Sequence, residues 1–218
     1  MPAADDAAAD LIAAHVQGRL PPPLDALIAA HLEMAPAARD FGDALEALAG
    51  RALDEAPGVA LADRDAALER IFGLAPVVTP PRPPAQRSPD ALPRALARFT
   101  EGTPEDWRFV WFGIRRRPLG RSGDFTAELL RIAGGGRIPQ HTHTGLEATL
   151  VLSGGFSDGD RSFGPGDLTV TGPEDHHAPV ADPEGCLCFT VVEGAGVRLS
   201  SRLGRAVADL VTAVTGGR

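Results

Sequence analysis

The stretch GGRIPQHTHTGLEATLVLSG, Gly135 to Gly154, decides how the second half of this chain is read. It places Gly135, five residues, His141-Thr142-His143, three residues, Glu147, six residues and Gly154 in order. His141 and His143 stand two apart, so on an extended strand both imidazoles point to one face. Thr144-Gly145 turns the chain, and Glu147 returns a carboxylate to the same cavity. Two imidazoles and a carboxylate from one hairpin make a metal-binding set that needs a donor from across the structure. His177 is the natural candidate, following the turn Phe163-Gly164-Pro165-Gly166-Asp167. His176 is adjacent and faces the other way on a strand, so at most one of the pair coordinates.

Around this hairpin the apolar period is two. Trp107, Phe109 and Trp111 alternate, as do Leu146, Ala148, Leu150 and Leu152, and later Cys186, Cys188 and Thr190. Turn signals separate them: Gly134-Gly135-Gly136, Gly154-Gly155, Asp158-Gly159-Asp160 and Pro183-Glu184-Gly185. Short strands at such spacing make a sandwich or small barrel. The histidine hairpin resembles the first sequence motif of the cupins, which implies a double-stranded antiparallel β jelly-roll. Cys186 and Cys188 share one strand face and read as small packing residues. Arg115-Arg116-Arg117 reads as a solvated turn.

The first 75 residues have helical periodicity instead. Ala8, Leu11, Ile12, His15 and Val16 mark one helix face; Leu24, Leu27, Ile28, His31 and Leu32 mark a second after Pro21-Pro22-Pro23. Phe41, Ala44, Leu45, Leu48 and Ala49 mark a third after Pro36, which suits a first helical turn. Asp63 is a candidate N-cap for a fourth, with Leu68, Ile71, Phe72 and Ala75 on its face. Packing around Leu11, Ile28, Leu32, Phe41 and Leu45 is expected to hold this small bundle together. Pro76, Pro80, Pro81, Pro83, Pro84, Pro89 and Pro93 then make a semi-rigid linker that few contacts should cross. Leu203, Val207, Leu210, Val211 and Val214 give the tail a helical stripe that could cap the sheet. The expected architecture is α + β in two domains: a helical domain at 1–75, a linker at 76–104, and a cupin domain with a C-terminal helix at 105–218.

Charge narrows the partners. Residues 1–80 carry 5 Arg against 13 Asp and Glu, whereas residues 81–218 balance to zero. An acidic N-terminal part does not suit a phosphate backbone, so no direct nucleic-acid contact is expected. It suits solubility or a basic protein partner. No apolar run approaches the ~20 residues of a membrane helix, and the acidic start lacks the features of a secretory signal. The expectation is a cytoplasmic protein with no membrane contact.

Taken whole, the chain resembles ChrR-type anti-sigma factors, in which a helical anti-sigma domain precedes a cupin-like domain. The segments His141-Thr142-His143-Thr144-Gly145-Leu146-Glu147, Thr149-Leu150-Val151-Leu152, His177-Ala178-Pro179-Val180 and Cys186-Leu187-Cys188 carry the likeness. It implies that His141, His143, Glu147 and His177 hold zinc. It also implies that the helical domain sequesters an extracytoplasmic-function sigma factor, while the cupin domain responds to an oxidative signal. One departure is plain. The family's helical domain binds a zinc of its own through an upstream His and a His-x3-Cys-x2-Cys segment. Here His31 is followed by Ala35 and Ala38, and Asp5 and Asp6 stand where the upstream histidine is expected. One histidine without thiolates cannot close a tetrahedral site, so His31 reads as a buried, hydrogen-bonded remnant.

Two other readings fit the residues. One is a cupin metalloenzyme, such as a dioxygenase, because three His and one Glu can hold iron, manganese, nickel or zinc. The other is an adaptor whose helices bind some other protein.

Overall fold

The computed structural model describes residues 3–60, 62–75, 92–100, 105–194 and 196–199. Most of the expected Pro-rich linker and all of the expected C-terminal helix lie outside them. The helices are α1 (Ala3–Val16), α2 (Pro22–Met34), α3 (Pro36–Glu55) and α4 (Arg64–Phe72). A short 3-10 turn (Arg94–Leu96) leads into α5 (Ala97–Thr100). The strands are β1 (Arg108–Trp111), β2 (Ile114–Ser122), β3 (Phe125–Ile132), β4 (His141–His143) and β5 (Glu147–Asp158). They continue with β6 (Arg161–Phe163), β7 (Leu168–Thr171), β8 (Val180–Glu193) and β9 (Val197–Leu199).

All pairings are antiparallel. The large sheet runs β1-β2-β3-β8-β5-β6, with β7 also on β5, and β4 pairs with β9 in a second sheet. Gly154 shows why the hairpin motif ends in glycine. Its φ is +68°, and a Cβ there would overlap the Gly185 carbonyl oxygen where β5 crosses β8. The Arg115–Arg117 run is not a turn: it lies on β2, with Arg117 buried.

The alternating residues of β5 and β8 separate two apolar layers. Val151, Cys186 and Cys188 join Ile114, Ile132, Phe156 and Phe163 in one cluster. Ala148, Leu150, Phe189 and Val191 face the other way and share a cluster with Leu24, Ala26, Leu27, Ile28 and Ala30 of α2. The sheet is therefore covered on one face by a helix from the N-terminal region. The chain divides into two compact units: residues 1–45 together with 92–218, and residues 46–91. Few contacts were expected to pass from the helices to the strands, yet α2 is built into the same core as β3, β5 and β8.

Polar contacts pin the helix ends. His15 Nδ1 lies 2.8 Å from Asp25 Oδ1, tying α1 to α2. The Glu33 carboxylate accepts the N–H groups of Arg94 (3.0 Å) and Ala95 (3.1 Å), capping the 3-10 turn that buries Leu96. Phe99 of α5 meets Phe189 of β8 with ring centroids 6.1 Å apart. His31 donates from Nδ1 to the Gly166 carbonyl at 2.8 Å, in the turn between β6 and β7. Burial lowers its pKa, which favours the neutral ring. The buried, hydrogen-bonded histidine expected at position 31 is present, and its partner is the strand domain.

The expected role of Phe41 needs correction. It remains 42% exposed, and Leu48 is 55% exposed. Gly42 occupies the buried position of α3, where a Cβ would meet Leu32 at 3.5 Å and Ile12 at 3.9 Å. The helical stripe was displaced by one residue because a glycine contributes nothing to apolar periodicity. In α4, Asp63 caps as expected, accepting from Ala66 N at 2.9 Å. Replacing Ile28, fully buried, by Ala should lower stability by about 2–5 kcal/mol. Phe41→Ala should cost less than about 1 kcal/mol. Urea unfolding of the two variants provides the comparison, and equal losses would contradict the packing described.

Candidate metal centre

Three imidazoles meet where β4 crosses the loop before β8. His141 and His143, 3% and 0% exposed, project from one face of β4. His177 arrives from the loop 172–179 and is held in register by paired backbone bonds, His141 N to His177 O (3.0 Å) and His177 N to His141 O (3.1 Å). The ligating atoms of the three residues all lie within 4.8 Å of one another. His176, on the same loop, is exposed.

The second nitrogen of each ring decides what the first can do. His141 Nδ1 donates to Pro139 O at 2.8 Å, which leaves Nε2 with a free lone pair. His177 Nδ1 donates to Asp158 Oδ2 at 3.0 Å, again leaving Nε2 free. His143 Nε2 lies 2.9 Å from His177 Nε2. Its Nδ1 is buried without a hydrogen-bond partner, although Glu147 Oε2 lies 3.3 Å away. A proton on Nδ1 turns the N–H toward the Glu147 carboxylate and sets two Nε2 lone pairs face to face. A cation between them removes that repulsion. Nitrogens bound at 2.0–2.1 Å to one tetrahedral ion stand about 3.3 Å apart, a separation between the 2.9 Å of the His143–His177 pair and the 4.8 Å that bounds all three residues.

Glu147 is placed differently from its three companions. It opens β5 beside His143, on the Nδ1 side of that ring, and is not among the three converging residues. Burial raises its carboxyl to about 7, with the nearby Glu128 adding to the rise and a hydrogen bond from Thr149 opposing it. His141 and His143 move the other way. Burial, then the neighbouring imidazoles, lowers each to about 4, so both are neutral donors at pH 7. The residues present can hold a divalent cation.

Comparison with known proteins agrees with this architecture. The ChrR cupin-like domain matches residues 99–195. The anti-sigma-E factor ChrR of Cereibacter sphaeroides is 33% identical over 200 residues, covering 90% of this chain and 92% of the relative. The chain belongs to the ChrR family of anti-sigma factors. A crystal structure of Rhodobacter sphaeroides SigE in complex with the anti-sigma ChrR matches with a TM-score of 0.70 at 29% identity. That match covers 85% of this chain and 96% of the other. The ChrR likeness spans helices and strands together, so the metalloenzyme reading is not favoured. Among the described residues, no helix is long and apolar enough to cross a membrane.

Two outcomes follow for this ChrR-family site. Elemental analysis should find one metal per chain and none in a His141→Ala, His143→Ala double variant; His177→Ala should lose far more metal than His176→Ala. Equal metal in all four proteins would contradict the assignment. The second outcome concerns protons. His141 and His143 titrate near 4 when folded and near ~6.5 when unfolded, so the unfolded chain takes up protons first. The contribution of these two histidines to the stability of the chelator-treated protein should be full above about 6.5 and fall as pH drops toward 4, a loss that the single raised carboxyl of Glu147, acting in the opposite sense, offsets only in part. Urea midpoints across that range supply the test, and a flat profile would contradict it.

Proposed function

We propose that this chain captures an extracytoplasmic-function sigma factor in the cytoplasm through its helical region, and that the metal centre makes capture responsive to an oxidative signal. The carrying observation is the apolar surface of residues 46–75. Leu48 is 55%, Leu53 76%, Ile71 61%, Phe72 81% and Leu74 71% exposed. A run of large side chains this open to water is the kind of surface a protein partner covers. Glu46, Asp54, Glu55, Asp63, Asp65 and Glu69 share the same segment, and their charge suits a basic partner. The matched complex of SigE with the anti-sigma ChrR supports the same partner class. In this reading residues 1–75 are the anti-sigma region and 105–218 the cupin domain, joined by a linker at 76–104 whose segment 92–100 packs into the core shared with α2.

Zinc is the proposed metal, with His141, His143 and His177 as ligands and Glu147 as the fourth donor once its carboxylate rotates away from His143 Nδ1. The ChrR resemblance implies zinc, and three neutral imidazoles with a carboxylate suit its tetrahedral preference. When bound, the metal supplies a fixed point joining β4 to the His177 loop. The chain's own residues hold His141 and His177 in the tautomers that present Nε2.

Titration calorimetry of the full chain against a purified extracytoplasmic-function sigma factor from the same genome tests capture. A Leu48→Asp, Phe72→Asp variant should bind at least tenfold more weakly, about 1.4 kcal/mol, with an unchanged unfolding midpoint because both side chains are exposed. Unaltered binding by that variant would contradict the assigned surface. No binding by the unmodified chain to any such factor would contradict the function.

A further inference from the structure

The three histidines are anchored unequally, and the difference falls on a residue outside the histidine hairpin. Asp158 is the last residue of β5, ahead of the turn at Gly159, whose φ is +62°. Its cross-strand neighbour in the β5–β6 hairpin is Arg161, whose guanidinium lies 4.8 Å over the Phe163 ring. Both Asp158 oxygens go instead to the loop carrying the third histidine: Oδ2 accepts from His177 Nδ1 at 3.0 Å and Oδ1 from Ala178 N at 3.2 Å. One carboxylate thus grips the ring and the following peptide. His141 is anchored by a neutral carbonyl, and His143 Nδ1 has no hydrogen bond.

We propose that Asp158 is a positioning residue for the metal centre: it fixes the His177 tautomer with Nε2 presented and makes that nitrogen a stronger donor. The physical basis is general. A carboxylate accepting the remote N–H of a ligating imidazole locks the ring's orientation and stabilises the positive charge the ring gains on coordination. His177 needs such help more than its companions do. His141 and His143 are set by two-residue spacing on one strand, while His177 comes from a loop whose backbone is tied by the bridge to His141 and by the Thr142–Pro173 (2.6 Å) and Ile138–Pro179 (2.9 Å) hydrogen bonds, none of which orients the His177 ring. Side-chain exposures of 13% for His177 and 24% for Asp158 leave the contact largely shielded from water, where a charge-assisted hydrogen bond is strong.

This inference rests on metal binding by the three histidines, and the experiment separates the two. Zinc affinity of the full-length protein is measured by competition with a chelator, and the cobalt(II)-substituted protein is examined by visible absorption. Asp158→Ala should weaken zinc binding by about 10–100-fold. Asp158→Asn, which preserves shape but not charge, should weaken it about tenfold and shift the cobalt bands. Asp158→Glu should recover part of the affinity. A general loss of structure would not distinguish these variants, and Asp158→Asn should unfold at the same urea concentration as the parent when both are metal-free. Zinc affinity and cobalt spectra equal to the parent's in the Ala and Asn variants would overturn the role of Asp158 while leaving the metal site standing. Failure of the parent to bind either ion would overturn both.

Discussion

The burial of α2 against the strand sheet is the contact on which the rest of this molecule depends. Leu24, Leu27 and Ile28 are at most 3% exposed and share a core with Leu129, Leu150, Phe189 and Val191. Each such side chain contributes roughly 1.5–3 kcal/mol when removed from water. A helix of 13 residues is marginal in isolation. Docked on the sheet, it becomes the platform for its neighbours. Its N-terminal end holds α1 through Asp25, and its C-terminal end caps the 94–96 turn through Glu33 and meets the β6–β7 turn through His31.

This arrangement explains how the helical region can keep its shape with Ala35 and Ala38 in place of the family's cysteines. A structural zinc contributes folding energy by tying segments that would not otherwise stay together. Here His31 is spent on a hydrogen bond to Gly166, and Met34 packs on the same turn, at 3.4 Å from where a Gly166 Cβ would stand. The tie joins the helices to the strand domain. A change in the strand domain therefore has a direct structural contact through which to reach α2, besides the covalent connection. The strand that leads to the β6–β7 turn is β6, the second arm of the hairpin carrying Asp158.

Much of this was legible in the residues. Pro36 and Asp63 mark helix starts because one lacks only an amide that would be unpaired and the other offers a side-chain acceptor. The spacing of His141, His143 and Gly154 names a hairpin because alternation and backbone clearance are local properties. Other features are non-local. An apolar stripe such as Leu24, Leu27 and Ile28 says that a face is buried, but not what buries it. The complementary signal was in β8, where Leu187, Phe189 and Val191 alternate with Cys186, Cys188 and Thr190, so both faces are apolar and both need a cover. Spacing placed Glu147 near His143 but could not fix which ring nitrogen it faces, because that depends on side-chain torsions. Asp158 read as part of a turn, and only the folded chain brings it to His177.

Native-state hydrogen exchange in the presence of a strong chelator tests the shared core most directly. If α2 and the sheet form one unit, the amides of Ile28 and Ala30 should exchange through the same opening as those of Phe189 and Val191, with protection that falls together as urea is added. Exchange at Ile28 and Ala30 that is orders of magnitude faster than at Phe189, and insensitive to urea, would show that the helices open on their own and would contradict the account.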